Sequence, residues 1–253
     1  NTTEFCEKVG IILNYSDKEY DLAINYLEIE SPEFVLKNIN AQQYWQWVHT
    51  DVAKLKGNEI DSYIKLYEKM THIVCVARSA QCSFNNVYPK LRKKTVTLYN
   101  FYDVEMIIKN SQEPIDMIIN DKIIILTIGR MVGEKGYIRA LNVVKKLKND
   151  GYNFQWQIIG DGIDRQAIEK KIVENKLEEY VSLLGLKDNP YPYIKNCDLF
   201  FLPSIYEGFP TVTIEAKILG KPVLATEVSG IREQIVHGKN GLIVENSEAG
   251  IYS

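Results

Sequence analysis

The chain has 253 residues, of which 45% are hydrophobic, and its 30 Lys and Arg against 33 Asp and Glu give a formal net charge of −3. This composition is that of a folded globular protein, and at roughly 150 residues per domain the length admits one large domain or two smaller ones. The balanced charge offers no broad basic face, so no nucleic-acid partner is predicted. No apolar run approaches the ~20 residues that a membrane-spanning helix needs.

The first part of the chain alternates apolar runs with helical segments. Strands are predicted at residues 20–27, 44–48, 73–77 and 95–98. Between residues 100 and 120, polar side chains surround Pro114 without a clear period, which is typical of a linker. We therefore predict a first domain over residues 1–112, linker included, and a second over residues 113–253.

The second part is a regular alternation of β-rich runs and longer helical segments, which indicates a parallel sheet wrapped by helices. The predicted strands are 123–128, 154–159, 181–184, 199–202, 222–225 and 242–244, and the predicted helices are 136–149, 164–175, 190–196, 211–219 and 230–237. Six such strands suffice for one Rossmann-like domain. The fold class is therefore α/β.

A phosphate-binding loop is the first candidate functional feature. Residues 125–136 pass from a strand through three glycines, among them Gly129, to a helix start, and Arg130 and Lys135 add two positive charges. Open α/β sheets bind anions at such places, because backbone N–H groups and the helix dipole favour negative charge. The spacing is not Gly-x-Gly-x-x-Gly, which argues against a nicotinamide or flavin cofactor. A plain turn with two surface cations is the alternative.

A second candidate feature lies at the same predicted sheet edge. Pro210 suits the first turn of a helix, so the N–H groups of Thr211 and Val212 would have no partner within the helix. Glu207 precedes this helix and Glu215 lies just over one turn inside it, which would place two carboxylates at different depths of one cleft. The alternative is that Glu207 only interacts with the helix dipole.

The cysteines and the start of the chain bear on the compartment. The four cysteines form no Cys-x-x-Cys pair, and no secretory leader pattern is present. We interpret them as reduced, small core residues of a cytoplasmic protein. They are Cys6, Cys75, Cys82 and Cys197.

Several segments together resemble the family-four retaining glycosyltransferases of GT-B architecture. Residues 125–136, 158–162 (IIGDG), 204–216 and 220–226 (GKPVLAT) follow the family's order, and residues 20–24, 47–51 (WVHTD) and 99–103 (YNFYD) look like its acceptor-domain strand, histidine turn and interdomain crossing. The resemblance implies two Rossmann-like domains with parallel sheets, the first incomplete. It also implies transfer of a sugar from a nucleotide-diphosphate donor to a glycan or lipid-linked hydroxyl, as in cell-surface polysaccharide synthesis.

The resemblance also assigns roles to residues. Arg130 and Lys135 would hold the diphosphate and stabilise charge on the leaving nucleotide. Glu207 would meet the sugar hydroxyls, Glu215 the ribose, and His49 would approach from the acceptor side. The implied catalytic residues are Glu207, His49, Arg130 and Lys135. The implied donor-binding residues are Gly129, Arg130, Lys135, Gly160, Leu186, Glu207, Gly208, Phe209, Pro210, Thr211, Val212 and Glu215, with the base received at the backbone around Leu186.

No cofactor or metal is expected beyond the nucleotide-sugar co-substrate. The sequence contains no Asp-x-Asp, and His72 and His237 have no partners at metal-ligand spacing. Acceptors in the family are often lipid-linked, so a short basic run is a candidate for peripheral contact with the inner face of the plasma membrane. The alternative is that the run is a solvated helix end. This run consists of Lys90, Arg92, Lys93 and Lys94.

The chain departs from the family pattern in two ways. Residues 229–233 stand where many members have two glycines and a proline, so no phosphate contact is assigned to Ser229 or Gly230. Neither the family's glycine-rich first loop nor its final crossing helix is found, so we expect a truncated piece of a longer enzyme, for which an inactive chain is one alternative. The alternatives are a nucleotide-sugar epimerase of the same architecture, a catalytically silent nucleotide-binding fragment and, least favoured, a nicotinamide dehydrogenase.

Overall fold

A computed structural model describes residues 18–27, 32–54, 59–115 and 121–253. The chain divides into two compact units, residues 1–100 and 101–253. The predicted 112/113 boundary stays a prediction.

The first unit contains a parallel four-stranded sheet whose strands lie in chain order. Its elements are β1 (Glu19–Asn25), α1 (Pro32–Asn38), β2 (Asn40–Val48), α2 (Glu59–Tyr67), β3 (His72–Cys75), α3 (Arg78–Val87) and β4 (Thr95–Thr97). Each of the four predicted strands is confirmed, with ends that differ by a few residues.

The second unit contains α4 (Val104–Asn110) and a parallel six-stranded sheet. Its further elements are β5 (Ile123–Ile128), α5 (Tyr137–Asn149), β6 (Phe154–Ile159), α6 (Arg165–Glu174), β7 (Val181–Gly185), α7 (Tyr191–Asn196), β8 (Leu199–Leu202), α8 (Thr211–Ile218), β9 (Val223–Thr226), α9 (Ile231–Gln234), β10 (Gly241–Val244) and α10 (Glu248–Tyr252). The predicted helix 230–237 is wrong in its second half, because Ile235 adopts extended backbone angles after Gln234.

Strand order β10-β9-β8-β5-β6-β7 gives the six-stranded sheet a topological switch point between β5 and β8. The chain runs outward from β5 through β6 and β7, then returns to the other side of β5. Alternate residues of β5 enter different hydrophobic clusters on the two faces of the sheet: Ile124 and Leu126 pack on one side, and Ile125 packs on the other. The loops that follow β5 and β8 therefore leave the sheet in opposite directions at the carboxyl ends of these two strands. This is the place where open α/β sheets bind ligands.

Candidate functional site

The loop after β5 is fixed by backbone contacts that require glycine. Gly129 N donates to Ile159 O at 3.0 Å, and Tyr137 Oη donates to Gly129 O at 2.9 Å. Gly160 has φ of +146°, and a Cβ there would lie 2.0 Å from Gly129 O. Gly136 has φ of +70°, and a Cβ there would lie 2.2 Å from Pro203 O. Gly136 in this loop and Gly160 after β6 thus let three chain segments approach at the ends of β5, β6 and β8.

The loops after β5 and β8 are joined by direct hydrogen bonds. Ile205 N donates to Glu134 O at 2.7 Å, and Tyr206 Oη donates to Glu134 Oε2 at 3.1 Å. The hydroxyl–carboxylate contact raises the pKa of Tyr206. Glu134 and Tyr206 were not among the predicted site residues. Glu134 contacts a loop about seventy residues later, and no local sequence pattern predicts such a contact.

An ion pair crosses between the same loops. Lys135 Nζ lies 2.7 Å from Glu207 Oε1, and the two side chains are 22% and 11% exposed. Ser204 Oγ donates to the same oxygen at 2.6 Å. Burial and the nearby charge of Glu207 raise the pKa of Tyr137. The structure therefore brings together Lys135 and Glu207, two predicted site residues that lie far apart in sequence, and adds Ser204 and Tyr137.

Arg139 braces the start of the loop after β8. Its Nη2 donates to Pro203 O at 2.7 Å and to Ser204 O at 2.8 Å, and its Nη1 donates to Asn246 O at 3.3 Å. Burial lowers the pKa of Arg139, and the charge of Glu248 opposes that shift. Because guanidinium is a rigid fork of donors, one side chain can hold several carbonyl groups at once. Sequence reasoning missed Arg139, since one cation on an amphipathic helix is unremarkable.

Arg130 is the more accessible of the two predicted diphosphate cations. Its side chain is 74% exposed, and Nη2 lies 3.0 Å from Glu134 Oε1. An exposed ion pair of this kind contributes little to stability, so the guanidinium can exchange its partner for another anion.

The start of α8 is held by buried polar contacts. Thr213 Oγ1 donates to Pro210 O at 2.8 Å, and Gln234 Nε2 donates to the same carbonyl at 3.1 Å. Pro210 stands one position before the helix, which begins at Thr211. The first N–H groups of an α-helix have no partner within it, so those of Thr211 and Val212 are available to an anion.

The turn before α8 packs closely against the loop after β9. A Cβ at Gly230, whose φ is +74°, would lie 2.8 Å from Gly208 O and 2.7 Å from Phe209 Cδ2. Gly230 therefore allows residues 208–209 to lie against this loop. The departure from the family pattern at residues 229–233 preserves this glycine.

Glu215 and Leu186 have different environments. Burial raises the pKa of Glu215, and burial together with the charge of Glu215 raises the pKa of Tyr191. Leu186 follows β7 and is 76% exposed. The carbonyl oxygen of Gly185, the residue before it, accepts a hydrogen bond from Gly160 N at 2.9 Å. The predicted ribose and base contacts stay predictions.

His49 belongs to the first unit and directly follows β2. Its Nε2 lies 2.9 Å from Tyr26 O, and the two rings meet edge to face at 5.0 Å. A carbonyl oxygen only accepts hydrogen bonds, so Nε2 must carry the proton in this contact. The predicted role of His49 in closing over the donor stays a prediction.

The basic run is only partly a surface feature. Lys90, Arg92 and Lys93 are exposed, but Lys94 Nζ donates to Glu68 O at 2.6 Å and to Met70 O at 2.8 Å. Lys94 therefore fastens the 3-10 segment Pro89–Lys94 to the chain before β3.

The cysteine interpretation needs one correction. Cys75 and Cys197 are buried as predicted, and burial raises the pKa of Cys197 to about 12. Cys82 is exposed, so its placement in the core was wrong: it lies on the outer side of the amphipathic helix α3, whose buried residues are Ala80 and Phe84. Cys6 lies outside the described residues.

Two other kinds of feature are absent from the described residues. No helix within them is long and apolar enough to cross a membrane. In the same ranges, no group of three or more His, Cys, Asp and Glu side chains is placed to hold a metal ion.

The fold and the sequence together define the class of the protein. The chain belongs to the glycosyl transferases group 1 family, whose sequence model matches residues 109–250, more than half of its 253 residues. The crystal structure of Anabaena Alr3699/HepE in complex with UDP and glucose has a TM-score of 0.79 and 17% identity, over 99% of this chain and 69% of that chain. This likeness shows the fold, an α/β architecture with two parallel sheets as in GT-B glycosyltransferases, and confirms the predicted fold class.

Two curated relatives are more similar in sequence. The first is the N-acetylgalactosamine-N,N'-diacetylbacillosaminyl-diphospho-undecaprenol 4-alpha-N-acetylgalactosaminyltransferase of Campylobacter jejuni, 36% identical over 154 residues, which are 60% of this chain and 40% of that protein. The second is the amylovoran biosynthesis glycosyltransferase AmsK of Erwinia amylovora, 33% identical over 133 residues, or 49% of this chain and 33% of that protein. The matches thus span less than half the length of either relative.

Proposed function

We propose that the protein is a retaining glycosyltransferase that moves a sugar from a nucleotide-diphosphate sugar to a hydroxyl of a glycan or lipid-linked acceptor in cell-surface polysaccharide synthesis. The observation that carries the proposal is the Lys135–Glu207 pair at the switch point between β5 and β8. It places one cation and one carboxylate where the sheet edge presents ligands.

The donor's diphosphate suits the cations and helix start at this edge. Arg130 and Lys135 would neutralise its charge, and the N–H groups of Thr211 and Val212 would donate to its oxygens. Charge that builds on the leaving diphosphate during transfer would strengthen these contacts in the transition state, which is how such residues accelerate a reaction. In this proposal protein cations supply the stabilisation, and no metal is required.

The remaining donor contacts in the proposal are those that the family resemblance implies. Glu207 would accept hydrogen bonds from hydroxyls of the transferred sugar, and Glu215 from the ribose. The backbone near Leu186 would receive the base, and His49 would act from the acceptor unit. Retention of configuration is part of the proposal, through either front-face attack or a covalent intermediate.

The names and bound ligands of the similar proteins support the choice of donor and acceptor. The solved Anabaena protein holds UDP and glucose, the Campylobacter relative is named for a diphospho-undecaprenol-linked acceptor, and the Erwinia relative for amylovoran biosynthesis. A lipid-linked acceptor would place the protein at the inner face of the plasma membrane, with Lys90, Arg92 and Lys93 as candidate contacts.

A thermal-shift panel of UDP-, GDP- and ADP-sugars tests donor binding, because a ligand that binds the native state raises its stability by mass action. Turnover is then measured with the selected donor. In the full-length protein, Lys135→Ala and Glu207→Gln are expected to lower turnover roughly 100-fold or more. Lys170→Ala and Glu174→Gln, which alter an exposed ion pair on α6, are the matched controls and should retain normal rates.

The products separate the alternatives. Transfer to an acceptor supports the proposal, and an inverted anomeric centre in the product would refute retention. Isomerised donor without any acceptor would indicate an epimerase. Binding without transfer or hydrolysis would indicate a silent nucleotide-binding module, and near-normal rates in both site variants would overturn the site assignment.

A further inference from the structure

The carboxylate of Glu207 is held on one side only. Its Oε1 accepts hydrogen bonds from Ser204 Oγ at 2.6 Å and from Lys135 Nζ at 2.7 Å. Its Oε2 accepts none from the residues that the structure describes. An ionised carboxylate has about four acceptor sites, so Oε2 keeps capacity for donors that come from a ligand.

Ser204 is the more rigid of the two groups that hold Oε1. Its residue is 1% exposed, and its carbonyl oxygen accepts from Arg139 Nη2 at 2.8 Å and from Thr226 Oγ1 at 2.6 Å. Thr226 is itself fully buried at the end of β9. The backbone of Ser204 is therefore fixed from two neighbouring elements, α5 and β9.

Lys135 cannot serve as the lasting support for this carboxylate. Its ammonium is a point charge on a flexible four-carbon stem, and an incoming diphosphate competes with Glu207 for it. When Lys135 turns toward phosphate, Ser204 Oγ is the protein donor that still binds Oε1.

We propose that Ser204 is a positioning residue: it holds Oε1 of Glu207 in the donor complex and so directs Oε2 toward a hydroxyl of the transferred sugar. This inference rests on the proposed function and deepens it. It makes the buried hydroxyl of Ser204 a determinant of the preference for a sugar nucleotide over the bare nucleotide. Pre-orientation of a binding group removes the need to order it when the ligand arrives.

Calorimetric titration of the intact protein tests the inference. The two probes are the UDP-, GDP- or ADP-sugar selected by the thermal-shift panel and the corresponding nucleoside diphosphate. Ser204→Ala is expected to weaken sugar-nucleotide binding roughly 10-fold, in line with loss of a hydrogen bond to a charged group, and to change nucleoside diphosphate binding less than about twofold. A merely structural role would weaken both ligands alike.

Three further variants sharpen the test. Ser182→Ala removes a hydroxyl that accepts from Gln155 Nε2 at 3.0 Å near the start of β7, and it should change neither affinity. Ser204→Cys keeps the side-chain size with a weaker donor and should give an intermediate loss, which covers the case in which the alanine variant does not fold. In a Glu207→Gln background, Ser204→Ala should add less loss than it does alone, because contacting residues couple.

The outcomes distinguish this inference from the function on which it rests. Wild-type protein that binds no sugar nucleotide refutes the proposed function, and the inference with it. Wild-type protein that binds one, with a Ser204→Ala variant that binds it equally well or loses both ligands alike, refutes the inference alone. A crystal structure of the Ser204→Ala variant with the sugar nucleotide bound, in which the Glu207 carboxylate still directs Oε2 toward the sugar, would refute it as well.

Discussion

Replacement of Gly136 by alanine is expected to disturb the site through the backbone alone. Gly136 joins the phosphate loop to α5 with φ of +70°, and the added Cβ would lie 2.2 Å from Pro203 O and 2.9 Å from Arg139 Nε. Left-handed backbone costs a non-glycine residue roughly 1 kcal/mol. Since Cβ contacts below 3.0 Å do not occur, Pro203 must also move by about 0.8 Å, which strains the hydrogen bonds from Arg139.

The strain on the hydrogen bonds from Arg139 costs more than the left-handed backbone. A hydrogen bond to a charged group contributes about 1.5–3 kcal/mol, so with the backbone term the total loss of unfolding free energy should be roughly 2.5–4 kcal/mol. At about 2–4 °C for each kcal/mol in a protein of this size, the midpoint of thermal unfolding should fall by about 5–16 °C. Donor affinity should fall as well, because Pro203 precedes the segment that carries Ser204 and Glu207.

Gly220 provides a matched control for this prediction. It has φ of +72° at the end of α8, but a Cβ there would meet nothing within 4 Å. Gly220→Ala should therefore show only the backbone strain, a fall of about 2–4 °C, with donor affinity retained. Unfolding followed by circular dichroism compares the two variants, and equal shifts would refute the argument that the close approach of Pro203 requires glycine.

Three further predictions concern single side chains. Arg139→Ala should lower unfolding free energy by about 2–3 kcal/mol in urea titrations, and Arg139→Lys should recover only part because ammonium lacks the fork of donors. Burial raises the folded-state pKa of Glu215, so the wild-type protein loses stability as the pH rises from about 4 through that pKa; Glu215→Gln should be stabilising at pH 7 and neutral at pH 4 in the same assay. In a Cys6→Ser background, a thiol reagent should modify Cys82 at once and reach Cys197 only after unfolding, and early modification of Cys197 would contradict its burial.

Local sequence pattern accounted for the elements of the second unit. The strands Ile123–Ile128, Phe154–Ile159 and Leu199–Leu202 were predicted with the observed ends, because β-rich apolar runs are bounded there by glycine, proline or polar residues. Errors occurred where tertiary contacts override local signals. Residues 235–237 leave the helix to approach β10, where Ile243 N donates to His237 Nδ1 at 3.1 Å.

The sequence by itself determined the α/β class, the glycine loop after β5 and the presence of Lys135 and Glu207 at strand-to-helix junctions, since period and turn chemistry are local properties. Only the tertiary structure decided that these two junctions meet. Strands β5 and β8 are neighbours because the chain reverses its winding direction between them, and no local pattern encodes strand order. Glu207 thereby acquires Lys135 and Ser204 as partners, and Arg139 becomes the brace of their loop.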